Sequence, residues 1–204
     1  MRYDVIIIGG GPAGLGCALT FASSQGRGWQ WAEGRKFLVI DDGKSDLHKA
    51  MLNNVPGVSI GTKGSELLEQ IREQIKSLSE NVEFIEDTAL KVEGDKGNFK
   101  VHTKSGNVYE ADYVVLASGF HKFEIECEGA EVIDNPKSPK PGRVMIKHDG
   151  DYKVRDGLYV AGLLAGLSSM YAAAAGSGVQ VAINILSEWA GKPIVIHDVL
   201  PDKD

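Results

Sequence analysis

A glycine-rich turn near the start of the chain has the residue types and spacing that bind a pyrophosphate. It follows a continuous apolar run at residues 5–8 and consists of Gly9, Gly10, Gly11, Pro12, Ala13 and Gly14. In a nucleotide-binding turn the first glycine allows the tight bend, the second leaves room for the phosphates, and the third lets the next helix pack on the strand. The helix N-terminus then attracts the anion. A glycine-rich turn without a ligand is the alternative, and the predicted strand and helix around it favour a dinucleotide site.

An acid at the end of the second predicted strand is the candidate for binding a ribose. The apolar residues 36–40 lead directly into Asp41 and Asp42, and nucleotide-binding folds place an acid on the ribose hydroxyls at this point. Asp41 comes later than the usual ~20 residues after the glycine turn, because a polar loop with Trp29 and Trp31 precedes the strand. We expect Asp41 to bind the ribose, whereas Asp42 can equally be a turn residue.

The other reactive side chains do not form a familiar catalytic or metal-binding pattern. Cys17 and Cys127 are the only cysteines, and no CxxC occurs, so neither a disulfide framework nor a cysteine zinc site is indicated. Cys17 is expected to be an inert core residue, and the acids beside Cys127 should raise the pKa of its thiol. The five histidines lack metal-ligand spacing. His48 lies in a loop expected near the ligand, with an ordinary surface position as its alternative, so we assign no catalytic residue and no metal.

The elements that position these residues alternate between strands and helices. Buried strands are predicted at residues 5–8, 36–40, 112–117 and 157–162, and amphipathic or small-faced helices at residues 12–24, 65–78 and 170–189. Short strands split by polar turns at residues 89–92, 99–103 and 108–109 predict a three-stranded β-meander. From residue 120 to 141 the pattern becomes irregular, and three prolines indicate a linker. The fold class is therefore α/β, a Rossmann-like domain with a central parallel sheet and outer helices.

Length and charge limit the classes of function. With 204 residues the chain suits one α/β domain, residues 1–204, that can bury a large ligand. A net charge of −6 without a basic cluster argues against nucleic acid or an anionic membrane as the main partner. No apolar run is long enough to span a bilayer, and no targeting segment is apparent at the start. We therefore expect a cytoplasmic protein.

Four motifs in order give the chain a resemblance to the FAD-binding domain of the thioredoxin reductase family, within the flavoproteins that bind two dinucleotides. They are the glycine turn with Asp41; Asn54, Val55, Pro56 and Gly57; the meander leading to Leu116, Ala117, Ser118 and Gly119; and residues 157–162 followed by Ala175, Gly176, Ser177 and Gly178. The resemblance implies FAD, with its pyrophosphate on residues 9–14, its ribose on Asp41 and its adenine against the backbone of Ala89. It also implies that the flavin side is lined by Ala117, Ser118, Gly119, Asn54, Gly162, Tyr171 and Ala172.

Two departures from the family limit what the resemblance implies. The family holds a nicotinamide-binding domain after the strand that ends near Gly119, but here only residues 120–156 occupy that place, and a second domain needs roughly 100 residues. That domain and the redox CxxC are missing. In addition, Leu163 follows Gly162 where the family usually places an Asp on the ribityl chain, so one hydrogen bond of about 1 kcal/mol is lost.

The leading hypothesis is a thioredoxin reductase-like flavoprotein, an FAD-dependent oxidoreductase that exchanges electrons with a separate donor or acceptor. A non-catalytic protein that binds FAD or another adenine nucleotide, with a regulatory role, is the second hypothesis. A small NAD(P)-dependent dehydrogenase is the third, although it does not explain the C-terminal motif. The candidate partners are a protein redox partner and, in a homodimer, a second copy of the chain.

Overall fold

The computed structural model describes residues 1–200 and contains one large mixed sheet, two small hairpins and three α-helices. The strands and helices alternate along the first half of the chain, as the sequence predicts. The strands are β1 (Arg2–Ile8), β2 (Phe37–Asp41), β3 (Met51–Leu52), β4 (Thr62–Lys63), β5 (Val82–Glu86), β6 (Ala89–Glu93), β7 (Phe99–Thr103), β8 (Val108–Leu116), β9 (Glu126–Cys127), β10 (Val132–Asp134), β11 (Val144–Ile146), β12 (Lys153–Arg155) and β13 (Leu158–Val160). The helices are α1 (Pro12–Ser23), α2 (Gly64–Leu78) and α3 (Tyr171–Ala190), with 3-10 turns at Asp46–Lys49 and Gly162–Ala165.

Five parallel strands form the centre of the large sheet, in the order β5-β2-β1-β8-β13. Apart from the edge strand β5, where Glu83 and Glu86 are exposed, most of their side chains are buried on both faces, which is why the sequence of β1 reads as a continuous apolar run rather than an alternating one. One face packs against all three helices, and the other face packs against the meander and the 3-10 turn at Gly162–Ala165. The predicted α/β fold with a central parallel sheet is confirmed.

The meander is present, but its last strand is also the central strand of the sheet. Residues 108–109 and 112–117 were expected to be separate strands, whereas β8 runs without a break from Val108 to Leu116. Its first half pairs antiparallel with β7 and its second half pairs parallel with β13 on the same side. Because Glu110 and Ala111 supply no turn, the chain stays extended and changes its neighbour instead.

The segment at residues 120–156 is folded onto the rest of the chain. β9 adds a short parallel strand beside β6, and β10 and β11 form an antiparallel hairpin. Ile146 of this hairpin is fully buried, and the buried side chain of Asn135 donates a hydrogen bond to the carbonyl of Leu163, at 3.3 Å. The sequence did not predict β9 or β10, since β9 depends on pairing with the distant β6 and β10 lies in a segment without strand periodicity.

Helices α1 and α3 approach each other so closely that glycine is required at their contact. A Cβ on Gly16 would overlap the carbonyl oxygen of Ala175, and a Cβ on Gly178 would overlap the carbonyl oxygen of Ala13. Gly14 has the same relation to the carbonyl oxygen of Gly9 in the turn before α1. Backbone therefore packs on backbone, and the N-terminal halves of both helices are held together beside the glycine turn.

A pair of glycine substitutions tests this contact. Gly178→Ala should lower the free energy of unfolding by about 1–3 kcal/mol, because the added methyl group forces α1 and α3 apart. Gly176→Ala is the matched control on the same helix, where the Cβ would meet nothing within 4 Å; the better helix propensity of alanine should raise stability by about 0.5–1 kcal/mol. Urea unfolding measures both variants. Equal effects would contradict the proposed close contact.

Candidate functional site

The sequence-predicted ligand residues gather at the carboxyl ends of the parallel strands. Gly9 follows β1, Asp41 ends β2, Ala117 follows β8 and Ala161 follows β13. Backbone hydrogen bonds join these ends: the N–H of Gly9 donates to Ile40, that of Ala117 to Ile8, and that of Ala161 to Leu116. The carboxyl edge of a parallel sheet is where such folds bind their ligands, so the main chain brings the predicted segments to one place.

The glycine turn has the geometry that a pyrophosphate requires. Gly9 adopts a φ of +117°, and a Cβ there would overlap the carbonyl oxygen of Ala117. Gly11 is the residue before α1 and provides no side-chain cap, Pro12 occupies the first turn, and that turn contains no acid. The first N–H groups of α1 are therefore available to an anion. Ser45 lies opposite Gly11, with its Oγ 3.2 Å from the position that a Cβ on Gly11 would take.

Asp41 is held at the edge of the site by three donors. Its Oδ1 accepts the N–H groups of Gly10 and Gly43, both at 3.2 Å, and its Oδ2 accepts from Nη2 of Arg72 at 2.5 Å. The Asp41 side chain is only 13% exposed. Asp42 is different, because it faces solvent, pairs with Lys44 and accepts the N–H of that residue. Asp41 thus lies in contact with the glycine turn, and Asp42 has the contacts of a turn residue; the ribose-binding role of Asp41 stays a prediction.

The second half of the site is formed by Gly162 and the start of α3. Gly162 has a φ of +73°, and a Cβ there would lie 2.8 Å from the Cβ of Ala13. Its N–H donates to Oγ of the buried Ser177 at 2.7 Å, and this hydroxyl donates to the carbonyl of Ala174. The residue before α3, Met170, supplies no side-chain cap. α3 therefore also begins with available N–H groups, and its fifth and eighth residues, Ala175 and Gly178, contact the first turns of α1.

The remaining predicted ligand residues lie around this centre at different depths. Leu163 is half-buried beside Gly162, and its carbonyl is already bonded to Asn135. Tyr171 is half-buried at the start of α3, and burial raises the pKa of its hydroxyl. Ala89 is buried on β6, whereas the side chains of Ser118 and Ala172 are exposed, and Gly119 is half-buried.

The loop at residues 45–62 reaches the site through Ser45 and also through Gly57, Val58 and Ser59, which line a cavity together with Gly16 and Tyr171. Ser45 lies at the glycine turn, but His48 and Asn54 are exposed further along the loop. Within residues 1–200, no side-chain hydrogen bond joins either of them to the turn. Their predicted roles beside a flavin stay predictions.

The cysteines and histidines give no sign of redox or metal chemistry of their own. Both thiols are free, Cys17 is buried on α1, and burial raises its pKa. Burial also raises the pKa of Cys127 to about 11; the predicted direction agrees, but the cause is desolvation rather than the neighbouring acids. In the described part of the chain, no three His, Cys, Asp or Glu side chains converge as a metal site would require. None of its helices is long and apolar enough to cross a membrane.

Three contributing residues were not identified in the sequence. Arg72 lies among the charged residues of α2, and nothing in the sequence distinguishes it from an ordinary solvent-exposed arginine. Ser45 lies in a loop without periodicity, so its approach to Gly11 could not be predicted. Ser177 is inside the recognised small-residue motif at residues 175–178, and it is the only residue of that motif with a polar side chain. A polar residue on an otherwise small, buried helix face was therefore an available signal.

A family model and individual relatives point to the same family for this chain. The model of the pyridine nucleotide-disulphide oxidoreductase family matches residues 3–156. A thioredoxin reductase of Aquifex aeolicus (strain VF5) is 30% identical over 179 residues, which are 78% of this chain and 50% of that protein. Ferredoxin--NADP reductase 1 of Lysinibacillus sphaericus (strain C3-41) is 31% identical over 136 residues, 63% of this chain and 37% of that protein. The chain thus spans half or less of the length of these relatives.

Solved structures show the same fold at low sequence identity. A thioredoxin reductase from Gloeobacter violaceus superposes with a TM-score of 0.73 at 16% identity, covering 98% of this chain and 99% of that one. A ferredoxin-flavin thioredoxin reductase from Clostridium acetobutylicum gives a TM-score of 0.68 at 19% identity, covering 94% and 98%. The sequence match, the fold and the glycine turn agree, and the chain belongs to the pyridine nucleotide-disulphide oxidoreductase family, with thioredoxin reductases among its relatives.

Proposed function

We propose that the chain is a thioredoxin reductase-like flavoprotein that binds FAD and exchanges electrons with a separate donor or acceptor. One observation supports this most strongly: α1 and α3, both without a side-chain cap at the N-terminus, are joined by glycine contacts at the carboxyl edge of the parallel sheet. One N-terminus suits a pyrophosphate. The second suits the electron-rich end of a flavin, where a positive helix end stabilises added negative charge. A dinucleotide that carries both groups fits this arrangement better than a mononucleotide.

The residues around the two helix ends fit FAD in size and polarity. Gly11 leaves the approach to α1 open, and Asp41 presents a carboxylate whose two oxygens have more acceptor sites than its present donors fill. Ala117, Gly162 and Ala172 contribute no bulky or charged side chain to the flavin end. Leu163 is the one poor match, because it cannot hydrogen-bond a ribityl hydroxyl through its side chain.

When bound, FAD supplies the electron-transfer chemistry, and the chain supplies position and polarity. Backbone N–H groups of α1 bind and orient the diphosphate, and the N-terminus of α3 favours negative charge beside it. The buried Ser177 hydroxyl fixes Gly162 against α3 and so keeps the two halves of the site in register. No side chain in the described site has the position of a general acid or base. The proposed reaction is therefore electron exchange without a protein proton donor.

The segment at residues 120–156 supports an external electron donor. Its hairpin contacts both segments proposed to line the flavin, since the N–H of Val144 donates to the carbonyl of Phe120 and Asn135 donates to Leu163. The segment contains no second glycine-rich turn, so nothing in it resembles a nicotinamide-binding domain. We propose a protein redox partner in the cytoplasm as the donor. Coverage of the flavin face by a second copy of the chain, in a homodimer, is the competing arrangement.

Binding of FAD without turnover is the second candidate function, and two observations favour it. The family's CxxC is absent, and Leu163 replaces the acid expected on the ribityl chain. The dehydrogenase hypothesis has less support, since it leaves the uncapped start of α3 without a ligand. The absorption spectrum of the purified protein separates the three. Flavin bands support the proposal or the binding role, reversible bleaching favours electron transfer, and a colourless protein that binds only NAD(P) would overturn it.

Gly11→Val should abolish FAD retention while leaving the chain folded. The branched side chain would occupy the approach to the first turn of α1, where the pyrophosphate is proposed to lie, and the φ of −80° at Gly11 suits any residue. Gly11→Ala should reduce affinity by less, because a single methyl group only narrows the approach. Flavin absorbance after desalting measures retention, and circular dichroism checks the fold. Full retention in folded Gly11→Val would contradict the pyrophosphate assignment.

Free NADPH should reduce the bound flavin slowly, although dithionite or light should reduce it readily. Hydride transfer needs the donor and acceptor atoms about 3–3.5 Å apart in an aligned geometry. Positioning of this kind can lower the activation barrier by about 7–11 kcal/mol. Residues 120–156 supply no recognisable domain to do this. Anaerobic stopped-flow mixing measures the rate. Saturable bleaching by NADPH at about 10 per second or faster, an ordinary enzymatic rate, would show that the chain builds a nicotinamide site.

A further inference from the structure

Arg72 is an unexpected component of the proposed adenosine end of the site. It extends from α2 over the ring of Phe84, with its guanidinium carbon 5.0 Å from the ring centroid, and its Nη2 lies 2.5 Å from Oδ2 of Asp41. Its side chain is only 22% exposed. A Cβ on Gly10 would lie 2.8 Å from Nη2 and would overlap the Asp41 carboxylate. The guanidinium, the carboxylate and the glycine turn are therefore in direct contact.

This pairing places two residues side by side that favour different substituents on the 2′ oxygen of a ribose. A carboxylate accepts hydrogen bonds from the two ribose hydroxyls, and it repels a phosphate on the 2′ oxygen. An arginine attracts that phosphate, because its planar set of donors matches phosphate oxygens. In this chain the guanidinium is neutralised by Asp41, and the carboxylate is also fixed by the N–H groups of Gly10 and Gly43.

We infer that Asp41 and Arg72 act together as a specificity element for the ribose, and this inference rests on the proposed nucleotide-binding function. Asp41 selects adenine nucleotides with an unmodified 2′-hydroxyl, and it occupies the arginine that would otherwise bind a 2′-phosphate. Arg72 orients the carboxylate and is a positioning residue in the native site. Removal of the negative charge at residue 41 exposes a latent binding site for a 2′-phosphate.

Lys44 is a cation three residues after Asp41 in the sequence, and its effect must be separated from that of Arg72 in any test. Its Nζ pairs with Asp42 at 2.9 Å, and its side chain is 75% exposed. The Lys44 side chain is therefore largely in solvent, whereas Arg72 packs over the ring of Phe84. Lys44→Met and Asp42→Asn are the matched controls, since they remove the same types of charge from the neighbouring exposed pair.

The experiment compares 5′-ADP with 2′,5′-ADP by calorimetry on the full chain after its flavin is removed. The native chain should bind 5′-ADP at least about tenfold more tightly, the factor expected when one charged hydrogen bond is lost or opposed. In Asp41→Asn the affinity for 2′,5′-ADP should rise and the preference should disappear or reverse. In Asp41→Asn combined with Arg72→Met, that gain should be lost. Asp42→Asn and Lys44→Met should keep the native preference.

The failures of the inference and of the proposed function are distinguishable. If the native chain retains FAD and binds 5′-ADP, but Asp41→Asn gains no relative affinity for 2′,5′-ADP, the inference is wrong and the flavoprotein proposal is unaffected. The inference would also be wrong if the gain in 2′,5′-ADP affinity of Asp41→Asn persisted when Arg72→Met was added. It would be wrong as well if that gain disappeared when Lys44→Met was added. If the native chain binds neither FAD nor 5′-ADP, both proposals fail. Circular dichroism and urea unfolding of each variant exclude loss of binding through misfolding.

Discussion

The structure depends on a contact between two helices whose closest part is made by backbone. Glycines on α1 and α3 remove the side chains that would keep the helices apart, and carbonyl oxygens of Ala13 and Ala175 fill the space. Any Cβ at Gly16 or Gly178 would separate the helix ends by about the size of a methyl group. As a result, two helices whose first N–H groups have no side-chain cap pack against each other at the edge of the sheet. Ser177 and Gly162 complete the contact through one buried hydrogen bond.

This construction explains why the site contains few charged side chains. The affinity for an anion comes from main-chain N–H groups and helix dipoles, which need only the right backbone path. Charge appears at one end, where Asp41 and Arg72 meet beside Gly10. The site therefore divides into a part that is specified by shape and a part that is specified by electrostatics. A substitution can alter which nucleotide binds at the second part and leave the first unchanged.

Local patterns were sufficient to predict the parts of the fold that are formed locally. The apolar run of β1, the glycine turn, the amphipathic α2 and the polar turns of the meander each carry a sequence signature. The continuity of β8 was missed, because a strand can change its neighbour without any change in its own periodicity. β9 and β10 were missed since they exist only through pairing with other segments. Arg72 was missed for a similar reason: its partner Asp41 is distant in sequence.

The contact between α1 and α3 has a consequence for how the protein is made. α1 is synthesised before the sheet is complete, but the helix that packs against Ala13 is synthesised after the sheet, the meander and the hairpin. Until α3 arrives, one face of the parallel strands lacks its cover and the second set of N–H groups is absent. Contacts between such distant segments form slowly because the loop between them must first close. The proposed dinucleotide site is therefore incomplete until α3 has packed against α1.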